Sequence, residues 1–166
     1  MPSVSRVLGS ALVALTFLIV AVPATSAEQP VDFTACLTST FEFISSADGI
    51  NAFRVENRGI AMSNHENKVF HNAVYQFVGV GYGPAGAPLG FGYAKLTDPD
   101  GNVAILELSG PPAGLSFKFL QGTGTWKGIA GGGKAARTAS TGVRMSGTSG
   151  ASEGCLRLTG SLDIRN

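Results

Sequence analysis

Apolar and polar positions alternate along the chain in short runs, and each run ends at a cluster of glycine, proline, aspartate or asparagine. Such runs, enriched in β-branched and aromatic residues, predict strands. No stretch keeps the spacing of an amphipathic helix over ten residues, because glycine and β-branched residues recur too often. The pattern predicts nine strands, at 36–45, 52–61, 68–81, 90–97, 103–109, 115–121, 124–129, 134–145 and 155–164. Antiparallel strands at this spacing favour an all-β sandwich or barrel.

The first 27 residues have the features of a secretory signal peptide. Arg6 supplies a positive charge, residues 8–22 are mostly apolar, and small residues at 25–27 follow Pro23. The alternative is an uncleaved membrane anchor, but the apolar run is shorter than the ~20 residues that a span needs. Cleavage after Ala27 predicts a secreted protein, periplasmic or extracellular, with a single domain over 28–166. No second apolar run of that length exists, so we expect no membrane partner after cleavage.

The two cysteines, Cys36 and Cys155, stand near the two ends of the expected mature chain. In an oxidising compartment an even pair favours a disulfide over a metal site or a nucleophile. The alternative is two unpaired buried thiols. A bond across so long a loop would stabilise the fold by about 4–5 kcal/mol in the chain-entropy model. It would also place the first strand beside the last, which is how an even-stranded barrel closes.

Composition excludes several classes of partner. Twelve basic against 11 acidic residues give a net charge of +1, which offers no electrostatic basis for binding nucleic acid or anionic lipid. Residues 128–134 resemble a phosphate-binding loop, but Ala135 stands where a magnesium-binding Ser or Thr is required. His65 and His71 are the two histidines, and a polar turn after the first disrupts a shared strand register. We therefore predict neither a metal site nor a cofactor.

The clearest hairpin surrounds the Asp-Pro-Asp-Gly turn at 98–101. A four-residue loop would pair Thr97 with Asn102 and would place Glu107 opposite Gly92 on an apolar face. A carboxyl group there needs a partner or acquires a raised pKa, as a general acid or base does. The alternative is a glutamate at the rim, paired with a cation. Because both faces of this hairpin are largely apolar, we also expect a homo-oligomer.

The segment 119–133, FLQGTGTWKGIAGGG, is the most distinctive part of the sequence. Together with NHENK at 64–68, TDPDG at 97–101 and CLRLTG at 155–160, it resembles a group of small secreted bacterial proteins without an assigned function. Its glycine and tryptophan spacing is similar to a strand-turn-strand of the allene oxide cyclase and dirigent β-barrels. That resemblance implies an antiparallel barrel of about eight strands with a central cavity, often oligomeric. No catalytic residue of those families is matched.

Three hypotheses of function follow. The first is a secreted β-barrel that binds a small hydrophobic molecule without catalysis. The second is a cofactor-free cyclase or isomerase that uses Glu107 or His71 as acid or base; His71 is alternatively a satisfied barrel histidine. The third is a non-catalytic oligomeric interaction protein with a packed interior. Trp126 either plugs one end of the barrel or stacks on a ligand. The predicted ligand-binding residues are Tyr75, Phe77, Phe91, Tyr93 and Trp126.

Overall fold

The computed structural model describes residues 28–47, 49–84, 89–111 and 113–165, with the side chains of 45–47 left aside. The predicted signal peptide at 1–27 lies outside the described residues. The strands are β1 Gln29–Ala47, β2 Ile50–Ser63, β3 Ala73–Pro84, β4 Leu89–Thr97, β5 Val103–Gly110, β6 Leu115–Gly122, β7 Ile129–Ser140, β8 Arg144–Ser146 and β9 Ser149–Ile164.

The strands close into a barrel. From β1 to β7 each strand pairs antiparallel with the next, β7 pairs with β9, and β9 pairs with β1. The short β8 pairs with β9 beyond the point where β7 ends. The prediction of an all-β, antiparallel barrel of about eight strands is therefore confirmed, with one short additional strand.

Alternation along each strand separates the inside of the barrel from the outside. On β1 the odd-numbered residues from Val31 to Ser39 are buried, and on β5 the even-numbered residues from Ala104 to Leu108 are buried. These inward side chains form one hydrophobic core that all eight barrel strands line. Burial of these apolar side chains supplies the main driving force for folding.

A disulfide joins the two strands that close the barrel. Cys36 and Cys155 are directly paired residues on β1 and β9, with their Cα atoms 4.0 Å apart. Both the predicted bond and the predicted adjacency of the first and last strands are confirmed.

Three of the predicted strands are wrong in whole or in part. Residues 124–129 do not form a strand, because Gly124–Trp126 is a 3₁₀ turn and β7 begins only at Ile129. The predicted third strand starts five residues too early. Lys68, Phe70 and Asn72 adopt left-handed backbone conformations, with φ of 55°, 54° and 59°, and this geometry interrupts a strand. A break at 141–143 also divides the predicted strand 134–145 into β7 and β8.

The predicted register of the β4–β5 hairpin is wrong by one residue. The Asp98 N–H donates to the Asn102 carbonyl at 2.9 Å, so the loop has five residues and Thr97 pairs with Val103. A slip of one residue exchanges the two faces of a strand. Glu107 is therefore opposite Tyr93 on the outside of the barrel, whereas the expected register placed it on the inner face opposite Gly92.

The two ends of the barrel differ. The loops at 64–72, 98–102 and 123–128 meet at one end, which we call the packed end. The opposite end, where β1, β3, β5 and β7 finish, is called the cavity end because the interior there is not filled.

Candidate ligand-binding cavity

A cavity of about 160 Å³ lies inside the barrel at the cavity end. Its walls are largely apolar and come from all eight barrel strands. An apolar cavity of about 150 Å³ in another protein holds one benzene molecule, so this space has room for a single ring. The inward apolar side chains that line it are Phe53, Val55, Phe77, Leu108, Leu115 and Leu156.

A row of polar side chains crosses one wall of the cavity. Ser39 on β1 is directly opposite Asn57 on β2 and directly opposite Ser152 on β9. All three face inward and line the cavity, and the two serines are each only 8% exposed. Directly opposite side chains in a sheet lie about 5 Å apart, so the three form one continuous row. The Asn57 Oδ1 atom is buried and has no hydrogen-bond partner.

Arg137 on β7 adds a positive charge to the same cavity. It pairs with Leu156, whose side chain belongs to the core, and it precedes a register shift between Arg137 and Ala139. Arg137 remains exposed to solvent and its Nη1 donates to the Ser140 Oγ at 3.2 Å. Since an exposed side chain also lines the cavity, the cavity reaches the surface at this arginine.

The space in the cavity depends on small residues on β3 and β4. The ring of Phe77 lies over Gly92, where an added Cβ would stand 2.6 Å from the Phe77 Cζ atom. Gly90 lies two residues before Gly92 on the same face of β4. A Cβ added at Gly90 would make only ordinary van der Waals contacts, and the nearest atom, the Gly110 carbonyl oxygen, would be 3.6 Å away. Gly92 is therefore required by the packing of Phe77, whereas Gly90 borders unfilled space.

Tyr75 lies deeper in the barrel, where it is fully buried in the core. Burial raises the pKa of its phenol above the ordinary range, and the hydroxyl has no hydrogen-bond partner. Tyr75 is neutral at all ordinary pH values. It pairs with Gly59, one inward position from the Asn57–Phe77 pair, so it lies next to the cavity lining on the side toward the packed end.

The packed end is filled by aromatic rings. Phe70, at the centre of the 64–72 loop, is buried with its ring centroid 4.6 Å from Trp126, 5.6 Å from Phe33 and 5.7 Å from Phe119. Ring pairs at these distances contribute beyond the area that they bury. Trp126 packs against the core at this end, on the opposite side of the core from the cavity.

Asp98 ties the loops of the packed end together. Its Oδ2 accepts a hydrogen bond from the Trp126 indole Nε1 at 2.9 Å, and its Oδ1 accepts from the backbone N–H groups of Asp100 and Asn102. Partial desolvation raises the pKa of Asp98, but the hydrogen bonds from Asn102, Trp126 and Asp100 outweigh it, and the net pKa is lowered. The ionised carboxylate therefore stabilises the position of the indole.

Exposed apolar side chains on β3 and β4 form an outer strip. The strip is contiguous because Val78 pairs with Tyr93, Val80 with Phe91, and Tyr82 with Leu89. Tyr93 is 50% exposed and Phe91 is 42% exposed. Contiguous exposed apolar surface of this kind is unusual on a monomeric protein and often marks an interface. The six residues of the outer strip are Val78, Val80, Tyr82, Leu89, Phe91 and Tyr93.

The five predicted ligand-binding aromatics occupy different environments. Phe77 lines the cavity, and Phe91 borders it from the outer face. Tyr75 is below the cavity, Tyr93 is on the outer strip, and Trp126 is at the packed end. The structure therefore does not bring the five together.

The two candidate acid–base residues also lie away from the cavity. Glu107 is on the outer face, and His71 is in the turn before β3 at the packed end. The His71 Nδ1 atom is buried without a hydrogen-bond partner. Among the described lining residues, Arg137 and Glu153 carry charges, and Glu153 belongs to the outward-facing positions of β9.

The sequence reasoning missed the polar row and Arg137. Alternation within the predicted strands 36–45 and 52–61 already placed Ser39 and Asn57 on the apolar faces of their strands, and a polar residue at such a position was the available signal. The inward direction of Arg137 had no such signal, because it depends on pairing across β7 and β9 next to a bulge.

Other kinds of site are not found in the described part of the chain. No group of three His, Cys, Asp or Glu side chains there is placed to hold a metal ion. Across the same residues, no helix has the length and apolar character required to cross a membrane.

Comparison with known proteins gives a likeness of fold. No protein-family model and no curated protein sequence matches the chain. The chain is similar to the solved structure of the pterocarpan synthase dirigent protein GePTS1, with a TM-score of 0.48 and 8% sequence identity over 86% of this chain and 94% of that chain. The resemblance to small secreted bacterial proteins stays a prediction.

Proposed function

We propose that this protein is a secreted binding protein that holds a small, mainly hydrophobic molecule in the cavity and performs no covalent chemistry on it. The observation that supports the proposal best is the 160 Å³ apolar space inside an otherwise packed barrel. An unfilled apolar volume lacks the dispersion contacts that a packed core makes, and a ligand of matching size restores them. Secretion is supported by the disulfide, which is typical of oxidising compartments.

The charged groups near the cavity favour binding over acid–base catalysis. Neither Glu107 nor His71 reaches the cavity, and Tyr75 beneath it is held neutral by burial. A general acid or base has to come within hydrogen-bond reach of the proton that it transfers. The lining serines, asparagine and arginine instead supply fixed hydrogen-bond donors and acceptors that orient a ligand.

A direct test fills the cavity and asks whether binding is lost. Neutral one-ring compounds such as toluene and cyclohexylmethanol are titrated into ¹⁵N-labelled mature protein, and amide chemical shifts are followed. We expect saturable shifts confined to residues around the cavity. Gly90→Leu places a side chain in the cavity and should abolish the shifts. Gly142→Leu is the matched control, because an added Cβ there meets open space outside the cavity. Unchanged binding by Gly90→Leu would contradict the proposal.

The outer strip supports a second candidate function, association with a second copy of this chain. The strip consists of three cross-strand apolar pairs, and a self-complementary patch of this kind suits a two-fold contact between identical copies. Charged residues border it on both sides, with Arg54 opposite Val80 and Glu56 opposite Val78 on β2, and Glu107 opposite Tyr93 on β5. Light scattering should give a mass above that of a monomer. Val80→Lys should reduce that mass, and Leu120→Lys, an equally polar change two strands away, should leave it unchanged.

A further inference from the structure

The cavity carries polar groups at two separate points of one wall. Asn57 is on β2 and Arg137 is on β7, with β1 and β9 between them. Neighbouring strands lie about 4.8 Å apart, and the row of Asn57 meets β9 at Ser152, four residues before Leu156, which is opposite Arg137. The two Cα positions are therefore separated by roughly 20 Å along the sheet. Ser39 and Ser152 occupy the wall between them. A ligand that touches both points is polar at two ends and apolar in the middle.

Asn57 offers an unused hydrogen-bond acceptor. Its Oδ1 is buried without a partner, although buried polar atoms in folded proteins are nearly always hydrogen-bonded. Leaving such an atom unpaired costs free energy, which a donor on a bound ligand recovers. The aromatic ring of Phe77, directly opposite on β3, offers no strong donor. The group that fits at this point is a ligand O–H.

The Arg137 guanidinium is a cation that has no carboxylate partner among the ion pairs of the described residues. The ion pairs in the described part of the chain involve Arg54, Arg157 and Arg165, whereas the Arg137 guanidinium donates to the neutral Ser140 hydroxyl. The planar guanidinium matches a carboxylate in a two-point hydrogen-bonded pair. Glu153, which also borders the cavity, belongs to the outward-facing positions of β9.

Resting on the function proposed above, we propose that the ligand is an organic acid with one six-membered ring and a hydroxyl group. Its carboxylate pairs with Arg137, its hydroxyl donates to the Asn57 Oδ1, and its ring occupies the apolar space beside Phe77, Leu108 and Leu115. The cavity volume of about 160 Å³ sets the limit of one ring. The exposed position of the arginine places the acid group at the surface and the ring inside.

The test compares three ligands of nearly equal size: cyclohexylmethanol, cyclohexanecarboxylate and trans-4-hydroxycyclohexanecarboxylate. Each is titrated into the mature protein at pH 7 by the same NMR method, at low and at high salt. We expect the acid to bind about tenfold more tightly than the alcohol at low salt and to lose part of that advantage at high salt. The hydroxy acid should bind a further severalfold more tightly than the acid.

Two variants assign each preference to its residue. Arg137→Gln should bring the acid to the affinity of the alcohol and leave the Kd of the alcohol unchanged. Arg144→Gln, an exposed arginine on β8 away from this cavity, is the control and should change neither value. Asn57→Leu should remove the preference for the hydroxy acid over the acid.

The outcomes separate this inference from the proposed function. Equal affinities of the wild-type protein for alcohol and acid would overturn the inference and leave a cavity that binds neutral molecules. A preference for the acid that survives in Arg137→Gln would also overturn it. Absence of binding by all three ligands would overturn the inference and the proposed function together.

Discussion

The packed end and the cavity end of one barrel use aromatic residues in opposite ways. At the packed end Phe70 crosses the barrel mouth and contacts three other rings, held by a loop with three left-handed residues. At the cavity end Phe53 and Phe77 lie close to glycines, and their rings line a space that is not filled. The same residue type closes one end and shapes a space at the other, because backbone geometry and neighbouring side-chain volume decide where a ring lies.

The largest expected effect comes from removing the ring that seals the packed end. Phe70→Ala should lower the free energy of unfolding by about 4 kcal/mol, since a fully buried ring leaves a cavity among Phe33, Phe119 and Trp126. Phe77→Ala should cost about half as much, because its partly buried ring already borders unfilled space. Denaturant unfolding of both variants measures the difference. Equal losses would show that the two ends do not differ in packing.

The second-largest expected effect comes from replacing Asp98, and this effect depends on pH. Asp98→Asn should lower the free energy of unfolding at pH 7 by about 2 kcal/mol, because hydrogen bonds to a charged acceptor become bonds to a neutral one. The folded-state pKa of Asp98 is lowered, so its stabilisation is present above about pH 4, the unfolded value, and is lost as the pH falls through the folded value.

Urea unfolding of the wild-type and Asp98→Asn proteins between pH 2 and pH 7 measures this dependence. The difference in free energy of unfolding between the two proteins should become smaller below about pH 4. Asp32, whose pKa is lowered chiefly by its hydrogen bond from Arg157, titrates in the same direction. Because Asp32 is present in both proteins, its contribution cancels in the difference. If the difference in free energy of unfolding instead became larger toward low pH, the result would contradict the role given to the Asp98 carboxylate.

Alanine substitutions at the two glycines on β4 should differ in their effect on stability, and this difference is smaller and more local than the preceding ones. Gly92→Ala should destabilise the fold by about 2 kcal/mol, because the new methyl group overlaps the ring of Phe77 and adjacent backbone. Gly90→Ala should change stability by less than about 0.5 kcal/mol, because its methyl group enters the cavity at ordinary contact distance. Thermal unfolding of the two variants is the measurement, and a large loss in Gly90→Ala would show that the cavity is smaller than described.

The smallest expected effect concerns the tryptophan fluorescence, which should not change when a ligand binds in the cavity. Trp126 is the one tryptophan of the sequence and lies at the packed end. Its fluorescence should stay constant when the cavity is saturated with a one-ring ligand, and it should shift in Asp98→Asn, which alters the bond to its indole. A ligand-induced change in emission would place the ligand at the packed end.

The strand pattern was largely predictable because it depends on local sequence. Eight of the nine predicted strands coincide with observed strands over most of their length, because alternation and turn residues act over neighbouring positions. The errors fell where local rules compete. The local pattern predicts a strand at Lys68 to Asn72, but these residues form the turn that places Phe70 in the core. The 124–129 segment read as strand, but Asn102 and Asp98 fix it as a turn through contacts with a different loop.

The candidate site was predictable only in part. Phe77 lines the cavity, in agreement with the rule that an aromatic residue on the apolar face of a strand faces inward, and its contact with a ligand stays a prediction. Glu107 was placed on the wrong face by a one-residue error in loop length, and no sequence feature separated a four-residue from a five-residue loop there. Phe91 and Tyr93 share an apolar pattern with the core and yet lie outside, because β4 is apolar on both faces.

The all-β class, most strand positions and the pairing of the two cysteines are predictable from the amino-acid sequence. They follow from side-chain alternation, turn chemistry and cysteine number, which act locally or by count. The inward face of each strand, the unfilled part of the interior and the shared cavity of Asn57 and Arg137 emerge only when the strands are paired in three dimensions. Those properties depend on register between strands that are distant in sequence, and a shift of one residue in any of them exchanges inside for outside.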